Sequence, residues 1–181
     1  MRLFIAVLLT EEIKDALCDA MQRLKRSTLR GNFTRRENLH LTLAFIGETT
    51  KTDTVKKAMN KLDAKQFSLT LSNVGRFKRD GGDIYWIGVE KSETLRKIHH
   101  QLYRELTAAG FVIDGREFKP HLTVAREVTV IDGFDAGVFS GTVPPMHMKV
   151  GKISLMKSER INGTLTYTEI YYVPLVAPSG T

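Results

Sequence analysis

The sequence predicts an α+β protein made of two lobes, each a strand-helix-strand unit, the second a copy of the first. Three observations predict it. The phrase HLTLAFIGE begins at His40 and HLTVARE begins at His121, 81 residues later. The same offset lays the apolar run LFIAVLL, residues 3–9, over IYWIGVE, residues 84–90. It also lays one long amphipathic helix over another.

Taken in order, LFIAVLL is a continuous apolar run with β-branched residues, as expected of a strand covered on both faces. Thr10 is placed to cap a helix whose first turn carries Glu11 and Glu12, and Ile13, Ala16, Leu17, Ala20, Met21 and Leu24 recur at helical spacing. A second strand is expected over 39–46, ended by Gly47, and a short helix over 52–64 with Val55, Ala58, Met59 and Leu62 on one face. FSLTLSNVG then alternates as a half-buried strand. After the turn KRDGGD the order restarts: a strand over 84–89, a helix over 93–109 closed by Gly110, and a strand over 118–125 bearing the second histidine phrase. MHMKVGKISLMKS and LTYTEIYYVPL supply further strands around an NGT turn. Residues 1–175 are expected to form a single globular domain, the first repeat spanning about 1–75 and the second about 82–175, with room for strands to cross between lobes. Residues 176–181 read as a tail.

Composition sets the class. With 42% apolar and 26% charged residues the chain is an ordinary globular protein, and its formal charge of +7 biases the surface toward polyanions. One cysteine, Cys18, excludes an internal disulfide and a cysteine-based zinc site, and its place in a helical pattern fits an inert thiol. The opening MRLFIAVLLT lacks a small-residue cleavage site and leads straight into a helix start, so it reads as a strand and not as a secretory signal. No stretch approaches the length that spans a bilayer, and a reducing, cytoplasmic location is expected.

The chemistry follows from the repeated phrase. Alternate side chains of a strand share a face, so His40 stands with Thr42 and His121 with Thr123, while Leu41 and Leu122 face a core. Two lobes related by an approximate twofold bring two His-Thr pairs into one groove. An imidazole titrates near ~6.5, so one of the pair can act as base while the other acts as acid, and each hydroxyl can donate to a phosphate oxygen. Such a site suits in-line displacement at phosphorus without metal. A histidine in a strand is ordinarily a structural residue. Its repetition with threonine, each time after a strand and a helix, favours catalysis. Zinc is the rival use, but no Asp, Glu or Cys follows at regular ligand spacing.

Two His-x-Thr-x motifs with apolar x, in a duplicated basic chain, resemble the two-histidine (2H) phosphoesterases. Within them the chain is most similar to RNA 2′,3′-cyclic phosphodiesterases, long called 2′-5′ RNA ligases. RLFIAVLL, LHLTLAFIGE, KPHLTVAR and SERINGTLTY carry the likeness over nearly the whole length. The resemblance implies antiparallel sheets facing a central groove, no cofactor and no metal. It implies an RNA partner ending in a 2′,3′-cyclic phosphate, and a monomer without an obligate protein partner. By the same resemblance His40 would protonate the departing 3′ oxygen, His121 would activate water, and Thr42 and Thr123 would hold phosphate oxygens. Phe45 would meet the terminal base and Arg126 the phosphate or nucleotide. The product would be a 2′-phosphate, with 2′-5′ ligation as the reverse-type reaction in which a 5′-hydroxyl replaces water. A relative acting on another small cyclic phosphate or oligonucleotide end, and a noncatalytic RNA-binding module, are the alternatives.

Strict alternation sets Phe45 and Arg126 opposite the histidines, so both assignments require each strand to bend or end nearby. Ser158, Gly163 and Tyr167 match the family's late motif only loosely and stay outside the expected site. His99 and His100 read as solvated, RFKRDGGD as a solvated hairpin tip, and Arg35 and Arg36 as placed to meet a polynucleotide. His147, between two methionines, could face solvent or a groove.

Overall fold

The structure, a computed structural model, describes residues 1–180; Thr181, the last residue of the expected 176–181 tail, lies outside them. Fourteen elements follow one another, of which the first is β1 (Arg2–Leu8). Then come α1 (Glu11–Arg26), β2 (Thr28–Phe33), a 3-10 turn over Arg36–Asn38, β3 (His40–Glu48), α2 (Thr52–Met59), β4 (Phe67–Phe77) and β5 (Asp83–Val89). The chain continues through α3 (Glu93–Ala108), β6 (His121–Val130), α4 (Ala136–Gly141), β7 (Met146–Val150), β8 (Lys152–Ile161) and β9 (Thr164–Pro174). The strands form a four-stranded sheet ordered β3-β1-β8-β9 and a five-stranded sheet ordered β2-β6-β5-β4-β7. Every strand pair is antiparallel. Strands cross between the halves: β2 and β4 join the second sheet, and β8 and β9 join the first. The helices cross as well, α1 packing on β2, β6 and β7 and α3 on β3. No helix is long and apolar enough to cross a membrane among the described residues.

Each long helix starts for the same local reason. Thr10 Oγ1 accepts from the Ile13 N–H at 3.4 Å, and Ser92 Oγ from the Leu95 N–H at 3.2 Å, satisfying a donor that the helix leaves free. Their inner stripes enter one continuous core, where Leu17, Leu102 and Leu106 are fully buried beside Leu41 and Leu122. Gly110 sits at φ +89 just past α3, the left-handed conformation that ends a helix and that glycine adopts without a Cβ clash.

The duplication is offset differently in its parts. The histidine strands align at 81 residues, but Leu8 pairs with His40 where Gly88 pairs with His121, an offset of 80 for their partners. The helix caps lie 82 apart. One residue matters in a strand, because it exchanges the two faces. The counterparts of Phe4 and Ala6 are therefore Ile84 and Trp86, not Tyr85 and Ile87 as a uniform offset of 81 would have it.

Of the two ways out that alternation left, the histidine strands bend rather than end: they continue to Glu48 and Val130 and carry bulges. Along β1, Ala6 opposes Thr42 and Ile5 opposes Ala44, leaving Leu43 extra. Along β5, Trp86 opposes Thr123 and Tyr85 opposes Ala125, leaving Val124 extra. A second shift follows in each strand, at Ile46 and around Arg126–Glu127, where Glu127 takes φ 54. A bulge resets which face the next residue takes. Phe45 is thereby set opposite Phe4, on the face of His40 and Thr42, and Arg126 falls on the face of His121 and Thr123.

Gly75 on β4 makes room for the Trp86 indole: a Cβ there would stand 2.1 Å from Cζ2 and 2.2 Å from Cη2. Gly75→Ala must displace that ring, so stability falls by about 1–3 kcal/mol, the usual cost of overpacking. Gly81→Ala, with nothing within 4 Å of the new Cβ, is the control and stays within about 0.5 kcal/mol by urea denaturation.

Candidate active site

His40 and His121 begin the two bulged strands, and β3 and β6 pack against each other where the sheets meet. Both face one groove of about 1100 Å³, whose wall also includes Thr42, Thr123, Phe45 and Arg126. The structure thus brings all six sequence-expected site residues together.

Each imidazole is fixed by its own backbone. The chain enters β3 from the 3-10 turn, and the His40 Nδ1–H donates to the Asn38 carbonyl at 2.6 Å. The His121 Nδ1–H donates to the Lys119 carbonyl at 2.7 Å. In both, the carbonyl two residues back claims Nδ1 and so directs the lone pair of a neutral ring to Nε2. At rest the Thr42 hydroxyl donates to His40 Nε2 at 2.9 Å. Thr123 is held from behind, its carbonyl accepting from the Thr34 hydroxyl at 2.9 Å.

Two aromatic rings flank each histidine. Phe4 lies 4.8 Å from the His40 ring and Tyr167 meets it edge-on at 5.2 Å. Phe77 meets His121 edge-on at 5.4 Å, and Trp86 lies at 6.2 Å. The environment around His40 holds its pKa below the ordinary imidazole value: burial is the main cause and the Arg126 charge adds to it, while the bond to the Asn38 carbonyl opposes both. Among the described residues no three His, Cys, Asp or Glu side chains converge as a metal would need.

Several groove residues were not foreseen. Tyr167 and Ser158, set aside on sequence, line the groove beside His40, and their positions opposite each other across β8 and β9 explain why they appear together. Phe77 and Arg79 of RFKRDGGD line it too: the tip, residues 78–81, is exposed as expected, but it stands at the groove. His99 is not solvated; it stacks on Phe118 at 3.9 Å and 5°, in the groove wall, and burial lowers its pKa. Asn38, buried, donates through its side chain to the Leu165 carbonyl at 3.0 Å and so ties the turn before His40 to β9. Its signal in the sequence is slight, since the group that holds His40 is a backbone carbonyl.

Other singled-out residues find partners away from the groove. Arg36 pairs with Glu11 at 2.7 Å and Asp15 at 2.8 Å, which commits its charge within the protein, and these bonds raise its pKa. Arg35 pairs with Glu37. His147 Nδ1 meets the Thr70 hydroxyl at 3.0 Å on β7, an outer strand of the five-stranded sheet, and does not line the groove. Cys18 is half-buried and burial pushes its thiol up, as suits an inert group.

Known proteins resemble the chain in sequence and in fold. A chain from Thermotoga maritima called RNA 2′,3′-cyclic phosphodiesterase is 29% identical over 178 residues, covering 95% of this chain and 91% of its own length. One of the same name from Archaeoglobus fulgidus is 32% identical, covering 70% and 72%. The crystal structure of Escherichia coli LigT without ligand superposes with a TM-score of 0.80 over 97% of both chains at 24% identity, a likeness of fold. The profile of the 2′-5′ RNA ligase superfamily matches residues 13–162, and the chain belongs to that superfamily.

Proposed function

We propose that this protein hydrolyses a 2′,3′-cyclic phosphate at the end of an RNA to a 2′-phosphate, without metal, by acid-base action of His40 and His121. One observation carries the reading: two imidazoles, each with Nδ1 bound to the carbonyl two residues back, present Nε2 to one groove beside a threonine. The names of the relatives supply the substrate class.

In this reaction water enters opposite the 3′ oxygen. His121 Nε2 takes a proton as the new O–P bond forms. The P–O3′ bond breaks, and protonated His40 delivers its Nε2 proton to O3′. The products are a 2′-phosphate and a free 3′-hydroxyl, and the histidines exchange protons with solvent to reset. Thr42 and Thr123 donate to the nonbridging oxygens, where negative charge builds. Arg126 adds a positive charge at the phosphate, and Phe45, lying in the groove with about half its surface exposed, offers a face for the terminal base. With a 5′-hydroxyl in place of water the same displacement forms a 2′-5′ linkage.

The groove is larger than one cyclic nucleotide needs, which favours an RNA end over a small cyclic phosphate. A binding module without turnover would have no use for two tautomer-fixed histidines.

In excess EDTA, the wild type is expected to convert a short RNA ending in a 2′,3′-cyclic phosphate to the 2′-phosphate. His40→Ala and His121→Ala each lower kcat by roughly 10² to 10⁴, with unchanged circular dichroism. Turnover abolished by EDTA, or indifferent to both substitutions, refutes the mechanism.

The charge relation between Arg126 and His40 gives a pH test. A nearby cation disfavours the imidazolium, so the His40 pKa in the free protein lies below about 6.5 and rises in Arg126→Gln. An NMR titration of the His40 ring protons reads this directly. The descending limb of kcat/KM, set by loss of the His40 proton in the free enzyme, moves to higher pH in the variant.

A further inference from the structure

Each half of the groove ends in an arginine lying over a phenylalanine. The Arg2 guanidinium carbon sits 5.1 Å from the centre of the Phe45 ring, beyond His40. The Arg79 guanidinium carbon sits 5.8 Å from the centre of the Phe77 ring, and Phe77 meets His121 edge-on. All four residues line the groove. One terminal nucleoside, attached to the cyclic phosphate, has use for one such platform.

We propose that Phe77 and Arg79 form a second nucleoside platform, which receives the base of the nucleoside whose 5′ oxygen occupies the place of water at His121. The inference rests on the cyclic-phosphate reading above, and on His121 serving the attacking oxygen. Stacking on a phenyl ring or on a guanidinium plane suits any base, because every base has a π face. Phe77 is held for this task from below. It packs on Trp86 at 5.4 Å, and that indole lies flat over Gly75, where a side chain would displace it. Arg79 is exposed on the turn between β4 and β5, its guanidinium donating to the adjacent Lys78 carbonyl at 2.9 Å, an exposed bond whose exchange for water lets it swing off the ring and admit a base.

The step balances without a further reactant. In ligation the 5′-hydroxyl gives its proton to His121 as O5′ bonds to phosphorus; the P–O3′ bond breaks and O3′ takes the proton of His40, leaving a 2′-5′ diester and a 3′-hydroxyl. In reverse, the 3′-hydroxyl attacks the 2′-5′ diester, O5′ departs with a proton from His121, and the cyclic phosphate and a free nucleoside result. Hydrolysis by water needs no second base.

The platform therefore separates two activities of one enzyme. Two rates are measured in EDTA: hydrolysis of an RNA ending in a 2′,3′-cyclic phosphate, and release of adenosine from 2′-5′-linked adenylyl-adenosine. Arg79→Ala and Phe77→Leu are expected to lower the ratio of kcat/KM for adenosine release to that for hydrolysis at least tenfold. Phe45→Leu, on the platform both reactions share, should leave that ratio within threefold. Arg79 packs on the surface only, so its variant keeps the test independent of any loss of folding in Phe77→Leu. An unchanged ratio in both variants overturns the platform while the hydrolytic reading stands. So does a wild type that hydrolyses the cyclic end but releases no adenosine, and so does a ratio that falls in Phe45→Leu instead. A wild type that does neither reaction overturns the parent reading and this one with it.

Discussion

The candidate site depends on one backbone arrangement used twice: the carbonyl two residues before His40 and before His121 accepts the proton of its Nδ1. A free imidazole has two tautomers and can rotate. Bound at Nδ1 it has one useful nitrogen with one direction. For the carbonyl to reach back, the chain must turn just before the strand begins, and it does so differently on the two sides. Before His40 a 3-10 turn is fastened to β9 through Asn38; before His121 a coil leads through Pro120. The two strands then run into sheets whose shared core contains Leu41 and Leu122, which fixes the opposite faces of the histidine strands.

Much of this was legible in the sequence because it repeats. The pairing of His with Thr, the strand before each helix and the Thr10 cap all stand in the chain as visible patterns. The bulges were legible too, had consecutive apolar residues been weighed: Leu43-Ala44 and Val124-Ala125 break the alternation at the same place in both copies, and all four are buried. A strand that turns two successive side chains inward has an extra residue, and the next side chain, Phe45 or Arg126, returns to the groove. By contrast β2 (TLRGNF) has no apolar alternation to announce it. It is a strand because β6 offers an edge for it to pair with. The stacking of His99 on Phe118 was hidden for a similar reason, since a loop places the phenyl ring and no spacing encodes it.

The positive charge also divides into two kinds once the fold is known. Arg36, Lys61 and Lys152 are committed to carboxylates that join separate elements, with Glu169 meeting both Lys152 and the buried Ser154 hydroxyl. Such exposed pairs contribute little stability, on the order of 0–1 kcal/mol, but they remove charge from the surface a polyanion would see. Arg2 and Arg79 lie over phenyl rings in the groove, so their charges stay available to phosphate and their planes to bases. Net charge alone could not distinguish these groups, because the sequence lists arginines without their partners.

The approximate twofold brings equivalent histidines together, yet the proposed chemistry needs them in opposite protonation states, and the departures from symmetry supply the difference. His40 starts the edge strand of its sheet, enclosed by Phe4 and Tyr167, and Arg126 reaches it from the other copy. Burial and that arginine both disfavour its charged form. A phosphate diester carries a negative charge into the same space, offsetting Arg126 and favouring the imidazolium. In the proposed reaction the proton that the leaving oxygen requires is therefore acquired together with the substrate. An acid made ready only by the anion it serves does not need a high pKa of its own, and this reconciles a depressed His40 with its proposed role as proton donor.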